Sequence, residues 1–205
     1  LGIPADLVTP EQYQPVRPLE RDGELVAWEA CQTVNGSWGY HRDNLDFKSG
    51  DMVVRMLAGS VALGGNLLLN VGPTARGEIA RRDREIFGAV GEWMHHHEGA
   101  IRGAGPSAFP APSGTVYTQR GNRLYVPVFD WPFGLLHLPD LGGRVEFARL
   151  LNDGSEIFFH EVAPDQKAFN LVPAGPAPGT VTLTLPVQRP EVAVPVIELT
   201  LTEAS

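Results

Sequence analysis

Apolar residues in the first half of the chain recur at helical spacing. In "SGDMVVRMLAGSVALGG", residues 49–65, Val53, Met56, Leu57, Ser60 and Val61 fall on one side of a 3.6-residue repeat. Ser49 or Asp51 supplies an N-cap and Gly64-Gly65 a stop, which predicts a helix. Leu67, Leu68 and Leu69 follow without a polar break, as in a parallel strand covered on both faces, and Pro73 and Gly77 turn the chain after it. A second helix is predicted over residues 81–97, with Ile86, Val90, Trp93 and Met94 on one face. Helix, buried strand, loop and helix in that order follow α/β logic.

In the second half the period falls to two. Val145 and Phe147 alternate with Arg144 and Glu146, Val181, Leu183 and Leu185 with Thr182 and Thr184, and Ile197, Leu199 and Leu201 with Glu198, Thr200 and Thr202. These are half-buried strands. "NDG" at 152–154 signals a hairpin, and six to eight short strands in this part suggest an antiparallel β-sandwich. Between the two periodicities the chain is rich in Gly, Pro, Ala and Ser. The expected organisation is therefore an α/β unit over residues 1–100, a linker over 101–114 and an all-β unit over 115–205.

Composition narrows the function. With 43% hydrophobic and 20% charged residues in 205, the chain can bury a sizeable core. Its net charge of -8, with no run of Lys or Arg, argues against nucleic acid and membrane surfaces as partners. No stretch approaches the roughly 20 apolar residues of a membrane span, and "LGIPADLVTP" lacks the layout of a signal peptide. A soluble protein is expected, cytoplasmic or secreted. Cys31 is the sole cysteine, which excludes an intrachain disulfide and a cysteine-based metal cluster. The chain starts at Leu1 rather than Met, which reads as a fragment or a processed form.

Candidate chemistry concentrates in "WEACQTVNGSWGYHRDN", residues 28–44, where Trp28, Trp38 and Tyr40 surround Glu29, His41 and Asp43. Together with "GGNLLLNVGPTARGE" and "GEWMHHHEGAIRG", this stretch resembles, in order and spacing, the consecutive late motifs of the α-L-fucosidases of glycoside hydrolase family 29. The resemblance covers essentially the whole chain and the later half of a family member. It implies the late units of a (β/α)8-like catalytic barrel followed by a C-terminal antiparallel β-sandwich. A whole barrel takes roughly 250 residues.

The resemblance also implies retaining hydrolysis of terminal α-L-fucosyl linkages. That reaction needs two carboxyl groups about 5 Å apart, one nucleophilic and one acting as acid and then base. The family's nucleophile is an Asp upstream of these motifs, so a barrel half carrying it is an expected partner, alongside the fucosylated glycan. Glu29 is the matched acid/base, and desolvation by the flanking rings would favour its protonated form. Glu11, in "DLVTPEQY", resembles a segment from which some relatives are thought to supply the acid/base, and is the alternative. The aromatic of "SWGY" implies that Trp38 lies against the C6 methyl of fucose, with Trp28 and Tyr40 as further sugar-facing rings. His41, Arg42 and Asp43 fall to the rim.

Other signals carry less. Adjacent residues of "HHH", 95–97, point about 100° apart on a helix and fit C-terminal charge capping better than metal binding. "GPTARGE" has no Lys-Ser/Thr after its glycines and is no phosphate loop. Asn66 and Asn70 flank the buried strand and are expected to tie loop backbone. Neither a metal nor an organic cofactor is called for, and association into a homo-oligomer stays open. A non-catalytic carbohydrate-binding or structural piece of such an enzyme is the alternative reading.

Overall fold

The computed structural model describes residues 6–161 and 176–202. It is mostly β, with two α-helices and several sheets. A short hairpin, β1 (Glu20–Arg21) with β2 (Glu24–Leu25), precedes β3 (Trp28–Thr33). Helix α1 (Gly50–Ala62) then leads into β4 (Gly65–Asn70), which runs parallel to β3. Helix α2 (Arg81–His97) follows, and its last turn tightens into a 3₁₀ turn at Glu98–Ala100.

Both predicted helices are present, although α1 buries Val54 and Ala58 and leaves the expected Met56 and Leu57 only partly covered. Ser49 caps α1, its hydroxyl accepting from the Met52 N–H at 3.2 Å. The helix stops where Gly64 takes a φ of 75°, donating its N–H to the Val61 carbonyl. Helix α1 buries Val53, Val54, Ala58 and Val61, while α2 buries Ile86 and Trp93. Leu67 and Leu69 of β4 pack with Val53 and Ile86, so the helices cover one face of the β3–β4 pair.

Beyond α2 the strands are antiparallel. β5 (Gly105–Pro106), β6 (Thr118–Arg120), β7 (Arg123–Pro127), β12 (Val196–Leu201) and β9 (Val145–Leu150) lie side by side in that order. β10 (Phe158–Glu161), β11 (Val181–Thr184) and β8 (Leu135–Leu138) make a second sheet. Period-two residues from both, among them Leu124, Val126, Leu136, Leu138, Leu183, Ile197 and Leu199, form one apolar cluster. The "NDG" turn is present, Gly154 adopting a φ of 74° and donating to the Leu150 carbonyl.

Three expectations need correction. β4 is not covered on both faces, since Asn66 is exposed and Leu68 is 50% exposed. Phe147 does not point inward with Val145. Leu199 pairs with Ala148 and Thr200 with Phe147, but Leu201 pairs with Val145, so Glu146 is an extra residue and the register shifts there. Such a bulge reverses the alternation, leaving Phe147 on the outer face and Ala148 in the core. Residues 101–114 are not simply a linker, since Gly105 and Pro106 pair with Gln119 and Thr118 at the sheet edge.

The five-stranded sheet also uses its outer face. Tyr125, Val194 and Val196 cluster there with Val54, Trp93 and Ala100 of the helical part. The Trp93 indole donates to the Val194 carbonyl at 2.7 Å, and the Thr118 hydroxyl to the Ala100 carbonyl at 2.7 Å. On the same face Glu198 is buried between Arg123 and Arg149, at 3.1 and 3.0 Å. Trp93→Ala therefore removes a buried ring and leaves a buried carbonyl without its donor. A loss of about 3–5 kcal/mol is expected in urea unfolding. Trp93→Phe, which keeps most of the ring area, should lose clearly less.

Candidate active site

β3 and β4 sort their side chains by alternation. The parallel register sets Trp28 beside Gly65, Glu29 beside Asn66, Ala30 beside Leu67, Cys31 beside Leu68, Gln32 beside Leu69 and Thr33 beside Asn70. Trp28, Ala30 and Gln32 share the helix-covered face with Gly65, Leu67 and Leu69. Glu29, Cys31 and Thr33 share the opposite face with Asn66, Leu68 and Asn70. That face is open where Asn66 is exposed and Leu68 is 50% exposed.

A third extended segment joins this sheet, which hydrophobic periodicity did not reveal. Val8 bridges Trp28 and Glu11 bridges Cys31, both parallel. Four backbone hydrogen bonds of 2.8–3.0 Å link residues 8–12 to residues 27–31. Pro10 can take part because its carbonyl accepts from Cys31 while its nitrogen has no hydrogen to offer. Through this register Glu11 lies on the same open face as Glu29, two residues nearer the C-terminal ends of the strands. Gln12 is held by a bond from its Nε2 to the Thr33 hydroxyl at 2.9 Å.

Trp28 is not a sugar-facing ring. It is 1% exposed, and its indole donates to the Leu63 carbonyl at 3.3 Å. The ring lies over Gly65, where an added Cβ would sit 2.1 Å from it. Gly65 is thus required by close approach rather than by turn geometry. Because Trp28 and Glu29 point to opposite faces, this ring does not shield the carboxyl as the sequence suggested, and Glu29 remains partly exposed.

Trp38 and Tyr40 do reach the surface, at 44% and 47% exposure. They lie on the loop after β3, which is tied to the loop after β4. The Asn70 amide donates to the Trp38 carbonyl at 2.8 Å, the expected loop-tying role. Gly72 allows the two loops to touch, since a Cβ there would come within 2.3 Å of the Tyr40 nitrogen. Both rings therefore stand at the C-terminal ends of the parallel strands, where α/β sheets place their chemistry. Trp38 O contacts Asn70, four residues beyond Asn66, so the loop backbone stands about 13 Å along the strand from Glu29.

Behind Tyr40 lies a cleft of ≈ 210 Å³ bounded by His41, Arg42, Asn35, Arg82 and Asp83. Arg42 and Asp43 pair with each other at 3.0 Å in solvent, consistent with a rim position. The Arg82 guanidinium covers the Phe47 ring, 4.6 Å from its centre. Asp83 is 4% exposed, and its Oδ1 has no hydrogen-bond partner. Burial pushes its carboxyl up from the usual range, opposed by a bond from its own backbone N–H. Sequence reading had no signal for Asp83, which looks like an ordinary first-turn acid of α2. Among the described residues no group of three or more His, Cys, Asp or Glu is placed to hold a metal, and no helix is long and apolar enough to cross a membrane.

Residues 3–99 match the model of the alpha-L-fucosidase family. The chain is 36% identical over 111 residues to an alpha-L-fucosidase of Branchiostoma floridae, covering 51% of this chain and 25% of that protein. It is 37% identical over 116 residues to the tissue alpha-L-fucosidase of Bos taurus, covering 54% and 25%. Among solved structures, alpha-L-fucosidase isoenzyme 1 from Paenibacillus thiaminolyticus aligns with a TM-score of 0.84 at 39% identity, over 97% of this chain and 45% of that one. A GH29 alpha-L-fucosidase from Bacteroides thetaiotaomicron aligns at 0.78 and 26% identity, over 96% and 43%. The chain thus spans a quarter of the length of these curated relatives and less than half of these solved chains.

The buried carboxyl of Asp83 sets a pH dependence. Its folded state holds a proton more tightly than the unfolded chain, so its burden on stability is absent below the unfolded value of 3.8 and grows as pH rises through the higher folded value. Asp83→Asn should raise the melting temperature near neutral pH. The gain should disappear below about pH 4, as scanning calorimetry across the range would record.

Proposed function

We propose that the chain is part of an alpha-L-fucosidase, as its match to that family over residues 3–99 and its likeness to solved alpha-L-fucosidases support, and that its open sheet face and ring-bearing loop form the acid/base side of a retaining site. In this reading β3, β4 and the two helices are late units of a (β/α)8-like barrel, and the two antiparallel sheets are a C-terminal β-sandwich. The substrate is a glycan with a terminal α-L-fucosyl group. The observation that supports the reading is the register of β3 with β4 and with the bridging residues Val8 and Glu11, which sets Glu29 and Glu11 on the face away from the helices, with Trp38 and Tyr40 on the loop at the ends of the same strands.

Chemically, a protonated carboxyl donates to the leaving glycosidic oxygen and, once deprotonated, activates the water that hydrolyses the glycosyl-enzyme. Glu29 takes this role by its motif. Glu11 is the second reading, favoured by its register two residues closer to the mouth. Trp38 lies beside the fucose methyl, burying apolar area that a 6-hydroxyl sugar would occupy only at a desolvation cost. The nucleophilic Asp comes from a part of the barrel that these motifs do not contain, so the 205-residue chain alone should leave an aryl fucoside intact.

Specificity tests the ring. In an enzyme that contains this chain and the nucleophile, Trp38→Ala should narrow the preference for fucoside over galactoside by on the order of 1–3 kcal/mol. An unchanged ratio of the two specificity constants would remove Trp38 from the site.

Leaving-group dependence tests the acid. Removal of the true acid/base should slow unactivated fucosides by about 10²–10⁴-fold, while activated aryl fucosides, whose leaving groups need no proton, keep their first step and slow only at hydrolysis of the glycosyl-enzyme. Azide should then restore turnover of the activated substrate, because a small anion attacks the intermediate without a base. Glu29→Ala is expected to behave this way and Glu11→Ala to lose little. The reverse pattern would move the acid/base to Glu11.

A further inference from the structure

The backbone of β3 bonds to its two neighbours by turns. Its odd-numbered residues face the segment at 8–12, where the Glu29 N–H donates to the Val8 carbonyl, the Cys31 N–H to the Pro10 carbonyl, and the Gln12 N–H to the Cys31 carbonyl. Val34, in the even series, turns the other way and donates its N–H to the Asn70 carbonyl at the end of β4. Thr33 is the next odd residue, and there side chains take over from the ladder. Its N–H is accepted by Gln12 Oε1 at 3.4 Å, and its carbonyl accepts from Lys48 Nζ at 2.6 Å. An ammonium group thus fills the place of a strand donor where the sheet ends.

Lys48 grips this strand end twice. Its backbone N–H donates to the Val34 carbonyl at 2.8 Å, so two consecutive carbonyls, Thr33 and Val34, accept from one residue. Just inside that clamp Asn35 and Phe47 pair across the base of the loop. The loop carrying Trp38 and Tyr40 therefore leaves and returns at Lys48, and its other tie is the Asn70 amide on the Trp38 carbonyl. Lys48 is half-buried, and burial holds its amine below the usual pKa. Among the described residues it forms no ion pair, so the strand-end carbonyl is the partner of its charge. A charged donor makes this bond stronger than a neutral one would.

We propose that Lys48 is a positioning residue for sugar selection, fixing where Trp38 stands against the open face by clamping the end of β3 to the base of the 35–47 loop. The inference rests on the reading of Trp38 as the ring beside the fucose methyl. Lys48 acts through the loop backbone, so it governs substrate choice and binding rather than proton transfer.

The test is a double-mutant cycle in an enzyme that contains this chain and the nucleophile, read as the ratio of kcat/KM for a fucoside to that for the matching galactoside. Lys48→Met keeps an apolar stem and removes the donor. It should narrow the ratio by about tenfold, the low end for a hydrogen bond from a charged group. The loss should come through a raised KM for the fucoside, with the pH profile of kcat unchanged. In the Trp38→Ala background the same substitution should change the ratio by less than about twofold, because residues that act through one another are not additive. Lys48→Arg, which keeps a charged donor, should recover most of the ratio. Lys48→Gln takes the place of Lys48→Met in the cycle should the latter lose its cooperative melt. Two results would overturn the proposal alone: an unchanged ratio without the ammonium while Trp38→Ala narrows it, or equal narrowing in both backgrounds. An unchanged ratio in Trp38→Ala would overturn the reading of that ring, and this inference with it.

Discussion

The seating of Trp28 over Gly65 is the constraint on which the arrangement of the parallel strands depends. Only a residue without a Cβ at position 65 lets the indole lie across β4 and reach the Leu63 carbonyl at the end of α1. That one contact joins β3, the exit of α1 and the start of β4, and so fixes the register of the pair. A slip of one residue would put Trp28 and Ala30 on the open face and drive Glu29 toward Val53 and Ile86, a charge into an apolar cluster. The glycine is thus what orients the carboxylate, although it has no side chain of its own.

Burial on both faces of a sheet is the second organising fact. β7 and β12 send Leu124, Val126, Ile197 and Leu199 into the core shared by the two antiparallel sheets, and Tyr125 and Val196 toward the helices. Neither the helical part nor the sheets would cover these residues alone. The Trp93–Val194 hydrogen bond, the Arg55 contact with the Phe129 carbonyl and the Thr118–Ala100 hydrogen bond cross the same boundary. Composition changes there, while packing runs through it. The Gly- and Pro-rich stretch reads as a linker because such residues disfavour helix and central strand, yet an edge strand of two residues needs neither.

Sequence periodicity located both helices, β4 and, among the antiparallel strands, β9, β11 and β12, because each has a strong one-sided or alternating pattern. The resemblance, not periodicity, implied Trp38 and Tyr40 as sugar-facing rings, and both are about half-exposed; Asn70, expected to tie loop backbone, donates to the Trp38 carbonyl. What periodicity missed depends on tertiary pairing. Residues 8–12 form a strand only against β3 and include Pro10, a poor strand signal by composition. Phe147 turned outward because Glu146 is an extra residue in β9, and a one-residue bulge leaves no mark in an alternation count. His97 was grouped with His95 and His96 as a charged helix end. Its place against Trp93 follows from an i, i+4 spacing that the triplet concealed.

The alternation of β3 also limits what an acid at position 29 can draw on. With Trp28 on the helix side, the indole gives Glu29 no apolar wall, and the neighbours on its own face are Cys31, Asn66 and Leu68. Of these, Asn66 and Leu68 are themselves exposed. A carboxyl that is to hold a proton until the leaving oxygen arrives must be desolvated or faced by negative charge at that moment. In the proposed site that environment comes from the substrate and the nucleophilic carboxylate as they close over the open face, rather than from the rings of the motif. The rings at the strand ends then act on the sugar, through Trp38 and Tyr40, and the register set at Gly65 brings the two groups to the same side of the sheet.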